Sequence, residues 1–252
     1  MTIPSNELIV GYDYDAWYGY GDKVPIVTDV SIRTNKHILV AGSSGGGKSY
    51  YTNQIMAKIC VLGGQEQRIL FADFKREDSF AYLRNCKNYF SYDKTTDALD
   101  IMYEILHKRQ SGEDETRTPV YLFWDEYLSN ILSIKSQDKK KAESVMMQVA
   151  EILSIGRSLN CNICITTQTA YASVFPEGSR SNFGIIAVCG APMRSIYEML
   201  IPKEYIEKIG ERQFKTGEGI VLLQGSNMHC IKVPMVRDEK KMQQICIDAL
   251  SR

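Results

Sequence analysis

The chain has 252 residues, of which 44% are apolar and 24% charged, with 30 Lys and Arg balanced by 30 Asp and Glu. That is the make-up of an ordinary globular domain, and a formal net charge of zero excludes a uniformly basic nucleic-acid binder while leaving room for a local basic patch. No apolar run approaches the roughly 18 residues of a membrane-spanning helix, and the N-terminal MTIPSNELIV lacks the charged start and long apolar core of a signal peptide. The seven cysteines form no repeating framework, and their odd number argues against a full disulfide set, so a reducing, cytoplasmic compartment is expected.

In chain order, the segment Gly11–Lys23 (GYDYDAWYGYGDK) is dense in aromatic residues. It reads as part of a strand-or-loop extension over residues 1–35 that packs on a sheet edge, the alternative being a ring that stacks on a base. Strand-length apolar runs follow at His37–Ala41, Arg68–Phe74, Val120–Glu126, Asn162–Thr167, Gly184–Cys189 and Gly219–Gln224. They are continuous rather than alternating, as in strands buried on both faces. Between them, helices are expected over Lys48–Leu62, ending at Gly63–Gly64, over Thr95–Lys108, and over Lys141–Arg157. The last carries Ala142, Val145, Met146, Val149, Ile152 and Leu153 at spacings of three and four, one face of a helix. Lys108–Pro119 and Ile134–Ser144 read as exposed loops.

Strand and helix thus alternate, which predicts an α/β fold with a mostly parallel central sheet and helices on both faces, in one domain spanning residues 1–252. The close pair Cys161 and Cys164 lies inside a strand, where a spacing of three puts the thiols on opposite faces; core packing is expected there rather than metal.

Gly42, Gly47, Lys48 and Ser49 fit G-x-x-x-x-G-K-[ST] between a predicted strand and a predicted helix. Backbone N–H groups of the run Gly42, Ser43, Ser44, Gly45, Gly46, Gly47, Lys48, Ser49 and Tyr50 would point at phosphate oxygens, with the helix N-terminus adding partial positive charge. Lys48 is expected to reach the β- and γ-phosphates of ATP, and Ser49 to offer its hydroxyl to Mg²⁺. The run VYLFWDE carries an acidic pair out of an apolar strand, and a carboxylate there is costly unless it meets a cation. Asp125 is therefore the expected second Mg²⁺ ligand, and Glu126 the group that orients and deprotonates the attacking water. An adjacent Asp–Glu pair fits water activation, hence hydrolysis, better than transfer to an acceptor by a small kinase.

With these motifs in view, the chain resembles the motor domains of FtsK/SpoIIIE-type DNA translocases, within the wider group that includes HerA and conjugative coupling ATPases. HILVAGSSGGGKSYYTNQIM looks like the motor start. FADFKRED is similar to an Asp-Pro-Lys segment, with Asp73 and Lys75 matching and Phe74 departing from proline. GRSLNCNICITTQ places Arg157 and Gln168 at the Gly-Arg and Thr-Gln spacing, NFGIIAVCGAPMRSIYEML places Arg194 at an arginine position, and GEGIVLLQG resembles the closing hairpin.

The resemblance implies a RecA-like fold and a homo-oligomeric ring, a hexamer being expected, with ATP between subunits. Arg157 would then reach the neighbour's γ-phosphate, Arg194 being the competing candidate, and Gln168 would sense that phosphate. The implied cargo is double-stranded DNA, gripped through its phosphates without sequence reading. Lys135–Lys141, with three consecutive lysines, and Ser173–Asn182, with Arg180, are the segments that could contact it. The alternative for the lysines is a solvated helix start. A relaxase-type complex or a membrane-anchored partner that recruits the chain fits the same resemblance. A type VII-like protein secretion ATPase, a phage-like packaging ATPase and a non-hydrolysing assembly subunit stay open.

Overall fold

The computed structural model describes residues 6–210 and 212–252. The elements are β1 (Glu7–Asp13), α1 (Tyr14–Gly19), β2 (Pro25–Asp29), β3 (Ile38–Ala41), α2 (Lys48–Leu62), β4 (Arg68–Asp73), β5 (Tyr89–Ser91), α3 (Thr95–Ser111), β6 (Val120–Asp125), α4 (Tyr127–Gln137), α5 (Lys139–Leu159), β7 (Cys161–Thr167), β8 (Ile185–Cys189), α6 (Arg194–Leu200), α7 (Lys203–Ile209), β9 (Glu218–Leu223), β10 (Asn227–Lys232) and α8 (Glu239–Leu250). The strands form one sheet in the order β2-β1-β10-β9-β8-β3-β7-β6-β4-β5. The run from β8 to β5 is parallel, and β9, β10, β1 and β2 extend it antiparallel.

The continuous apolar strands are buried on both faces, as their pattern requires. Leu39, Leu122, Trp124 and Ile163 face one core with α3 to α7, whereas Val40, Phe71, Phe123 and Cys164 face the other with α2 and α8. Successive side chains alternate across the pleat, so Cys161 and Cys164 end in different cores, both reduced. The apolar stripe of α5, from Val145 to Leu153, seals the first core. Among the described residues no helix is long and apolar enough to cross a membrane.

Two segments depart from expectation. Residues 134–144 are two helices that meet at Asp138, whose carboxylate accepts the Lys141 N–H at 3.0 Å and caps α5. Lys, Gln, Glu and Ala are good helix formers, and a polar run can form the solvent face of a helix as readily as a loop. Likewise α3 continues past Lys108 to Ser111. The aromatic N-terminal segment runs from β1 into the helix α1, where a strand or loop was expected, and this helix packs on the domain: Tyr14 meets Phe214 edge-on at 5.5 Å, and the Tyr18 hydroxyl donates to Glu218 at 2.5 Å.

Candidate functional site

All of the parallel strands point their C-terminal ends at one edge, and the candidate site lies there. After β3 the chain turns through Gly42–Gly47 and enters α2 at Lys48, with Gly47 as a left-handed cap (φ 96°). The turn rests on the end of β8: a Cβ at Gly42 would lie 2.5 Å from the Cys189 carbonyl oxygen, so only glycine fits. Gly190 touches Gly46, and the Thr216 hydroxyl donates to the Gly45 carbonyl at 3.0 Å, closing the other wall. Ser43, Ser44 and Gly45 stay exposed. Among the described residues the backbone N–H groups of Gly45, Gly47, Lys48, Ser49 and Tyr50 have no protein acceptor. The lysine is buried, and its ammonium donates to the Ser43 carbonyl at 3.3 Å. A chain of free N–H groups at the start of a 15-residue helix is an anion cradle.

The acidic pair stands two strands away. Asp125 ends β6 in register with Asp73 at the end of β4. Its Oδ1 accepts from Thr166 on β7 at 2.5 Å, while Oδ2 is buried with no partner among the described residues. Burial pushes the Asp125 carboxyl up to about 7; the Thr166 hydrogen bond opposes this, and the nearby Glu77, Glu126 and Asp73 add to it. Glu126 has a left-handed backbone (φ 53°) and is only 4% exposed. Its Oε2 meets the Lys75 ammonium at 3.1 Å and the Ser129 hydroxyl at 3.2 Å, and its Oε1 lies 3.5 Å from the Gln168 amide. The Ser49 hydroxyl donates to Glu77 at 3.2 Å, which ties the start of α2 to the same acidic cluster.

A hard divalent cation prefers oxygen donors, and the orphaned, buried Oδ2 of Asp125 together with the Ser49 hydroxyl is such a set. Among the described residues no group of three or more His, Cys, Asp or Glu side chains makes a protein-only metal site, so phosphate oxygens and water would have to complete the shell.

The remaining residues singled out in the sequence divide between the two ends of the sheet. Gln168 follows β7 and lies beside Glu126. Arg194 opens α6 at the cradle edge, exposed and paired with Glu198 at 3.0 Å. Arg157 is exposed in the last turn of α5, just before β7 begins, and so at the opposite edge. Lys139, Lys140 and Lys141 form the exposed first turn of α5, with Lys139 3.7 Å from Glu143, and Arg180 turns inward to donate to the Ala170 carbonyl at 2.8 Å.

Four contacts went unread in the sequence: Lys75 with Glu126, Glu77 with Ser49, Thr166 with Asp125, and Tyr89 with Asp73 at 2.7 Å. Each joins residues that only the strand order brings together. The one legible trace was the density of charge in FKRED, directly after a buried strand.

A glycine-rich anion cradle and a strand-end Asp–Glu pair, on one edge of a largely parallel sheet covered on both faces, define the class: the chain has the α/β fold of a P-loop ATPase. No protein-family model matches it. It is similar to the FtsK domain-containing protein YdcQ of Bacillus subtilis (strain 168), at 27% identity over 225 residues, covering 79% of this chain and 45% of YdcQ; it thus spans less than half the length of that relative. In fold it is similar to the pCW3 conjugation coupling protein TcpA with ATPγS, with a TM-score of 0.68 and 16% identity over 96% of this chain and 70% of that one. It is equally similar to ATPases 2 and 3 of EssC from Geobacillus thermodenitrificans, with a TM-score of 0.70 and 14% identity over 98% of this chain and 49% of that one.

Proposed function

We propose that this chain is an ATP-hydrolysing motor domain that moves double-stranded DNA, working as a ring of identical subunits. One observation carries the hydrolytic reading: free cradle amides and a buried Asp–Glu pair share one edge, tied together by Ser49, Glu77 and the β4–β6 register. In this reading the free N–H groups of Gly45, Gly47, Lys48, Ser49 and Tyr50 bind the triphosphate, the Gly46 N–H being held by the Ser43 carbonyl, which Lys48 exchanges for phosphate oxygens. Ser49 and Asp125 hold Mg²⁺, which supplies neutralisation of phosphate charge when bound. Glu126 orients the attacking water and takes its proton, while Gln168, at the same carboxylate, reports whether the γ-phosphate is present. Arg157 from a neighbouring subunit completes the site.

Support for DNA as cargo comes from the FtsK domain of the sequence relative and from a fold-level likeness to a conjugation coupling protein. The contact would be with phosphates, through exposed cations such as Lys140 and Lys141 in each copy. A fold-level likeness to the cytoplasmic domain of the Thermomonospora curvata type VII secretion ATPase EccC, with a TM-score of 0.68 and 14% identity over 99% of this chain and 31% of that one, favours a second reading, a protein-secretion ATPase. The test is the ATPase rate with and without duplex DNA, recorded with the oligomer mass. The translocase reading expects stimulation of about tenfold or more that weakens with salt, in a species heavier than the monomer. Turnover indifferent to duplex DNA would overturn it in favour of secretion, and binding without turnover at any concentration would leave an assembly subunit.

A further inference from the structure

We infer that Lys75 is a γ-phosphate-sensing lysine that exchanges Glu126 for the terminal phosphate of ATP, a role that rests on the reading of Gly42–Tyr50 as the ATP cradle. Glu126 is 4% exposed, and among the described residues its carboxylate has one cationic partner, the Lys75 ammonium at 3.1 Å. The other two groups on that carboxylate, the Ser129 hydroxyl at 3.2 Å and the Gln168 amide at 3.5 Å, are neutral. A buried carboxylate without a cation is costly, so something positive has to stand there when the site holds no nucleotide.

Lys75 is suited to an exchangeable role. It sits in the loop after β4, two positions beyond Asp73, and its side chain is 37% exposed at the mouth of the site. Four carboxylates, Asp73, Glu77, Asp125 and Glu126, crowd this edge, whereas Lys48 is committed to the cradle floor. A γ-phosphate brought in at the cradle is a stronger anion than one carboxylate and approaches from the open side. Lys75 trades one charge-assisted contact for another, and its stronger contact with the phosphate offsets the cost of leaving Glu126 to Ser129 and Gln168, which keeps the exchange reversible. The left-handed backbone at Glu126 keeps the carboxylate in place while its cation leaves, with Ser129 and Gln168 still holding it. ADP lacks the phosphate that draws the lysine away, so the Lys75–Glu126 pair persists in the ADP state and opens in the ATP state.

The experiment is equilibrium binding of MgATPγS and MgADP to the full chain, in wild type, K75A, E126Q and the double variant. K75A should weaken ATPγS about tenfold while leaving ADP within about twofold, and retained ADP binding itself reports a folded cradle. E126Q removes the competitor for the ammonium and should tighten ATPγS several-fold, a gain that vanishes in the double variant because the two residues act through one contact. Equal losses for both nucleotides in K75A, no loss at all, or an E126Q gain that survives without Lys75 would each overturn the role. A wild type that binds neither nucleotide would overturn the cradle reading and the lysine's role with it; normal ADP binding without the ATPγS pattern would overturn the lysine alone.

Discussion

Glu126 and Gly156 show how single positions are fixed for different reasons. Glu126 is held by Lys75, Ser129 and Gln168 in a backbone conformation that a non-glycine residue adopts only under constraint. Glu126→Gln keeps the shape and removes the base, so turnover should fall by about 10² to 10⁴ with ATP binding retained; single-turnover assays with saturating ATP check it, and unchanged turnover would remove Glu126 from the reaction. Gly156 is different. It lies where α5 packs onto β7, and a Cβ there would be 2.3 Å from the Cys161 carbonyl oxygen and 3.2 Å from the His37 ring. Neither neighbour can yield cheaply, because both are buried in the sheet. Gly156→Ala should therefore cost about 2 to 4 kcal/mol in urea unfolding. The glycine before Arg157 is thus explained by packing, whereas the exposed arginine itself takes no part in that packing. The Gly-Arg pairing was legible in the sequence; the contact that demands the glycine was not, since Cys161 and His37 approach it only through the fold.

At the scale of elements, the strand most tightly specified is β3, which lies between β7 and β8 and feeds the cradle. His37, at its entrance, is buried, and its Nδ1 accepts the Ile163 N–H at 3.1 Å, stitching the start of β3 to β7; its Nε2 is buried with no partner among the described residues. Burial, and secondarily the charge of Lys36, lower the His37 pKa to about 3. The unfolded chain takes up this proton near pH 6.5 and the folded chain does not. The stability this histidine contributes is therefore present above about pH 6.5 and is lost as pH falls toward 3, at about 1.4 kcal/mol per pH unit. Between pH 6.5 and 5 the wild type should lose about 2 kcal/mol more than His37→Gln, measured by urea unfolding; parallel losses in the two proteins would show that the ring does not titrate as described. Continuous apolar runs made the six central strand segments readable, because burial on both faces leaves no alternating polar face to blur them. The α4–α5 junction was not readable. Its lysines and Gln137 satisfy helix propensity and loop polarity equally, and only the Asp138 cap decides between them.

For the whole molecule, the direction of the sheet separates the two arginines. Because the parallel strands all end at the cradle, a residue at the start of a strand is removed from its own nucleotide site by the strand's length. β7 has seven residues, a rise of about 23 Å, and Arg157 lies beyond its first residue, longer than any arginine side chain can bridge. In the proposed reading Arg157 would therefore complete a neighbour's site rather than its own, and a ring would supply that neighbour. Arg194, at the cradle edge, is under no such restriction. This gives a mixing experiment with distinguishable outcomes. Arg157→Ala keeps an intact cradle and lacks the finger; Lys48→Ala keeps the finger and lacks the cradle. Each alone should be nearly inactive, by about 10³-fold or more for the finger. Mixed in equal amounts and allowed to exchange, about a quarter of interfaces pair a working cradle with a working arginine, and activity should recover to roughly that fraction of wild type. If instead Arg194→Ala is the variant rescued by Lys48→Ala and Arg157→Ala is not, the finger is Arg194. If neither pair recovers at any ratio while each variant still assembles, hydrolysis is completed within one subunit, and the exposed arginine at the far edge of the sheet has no catalytic part.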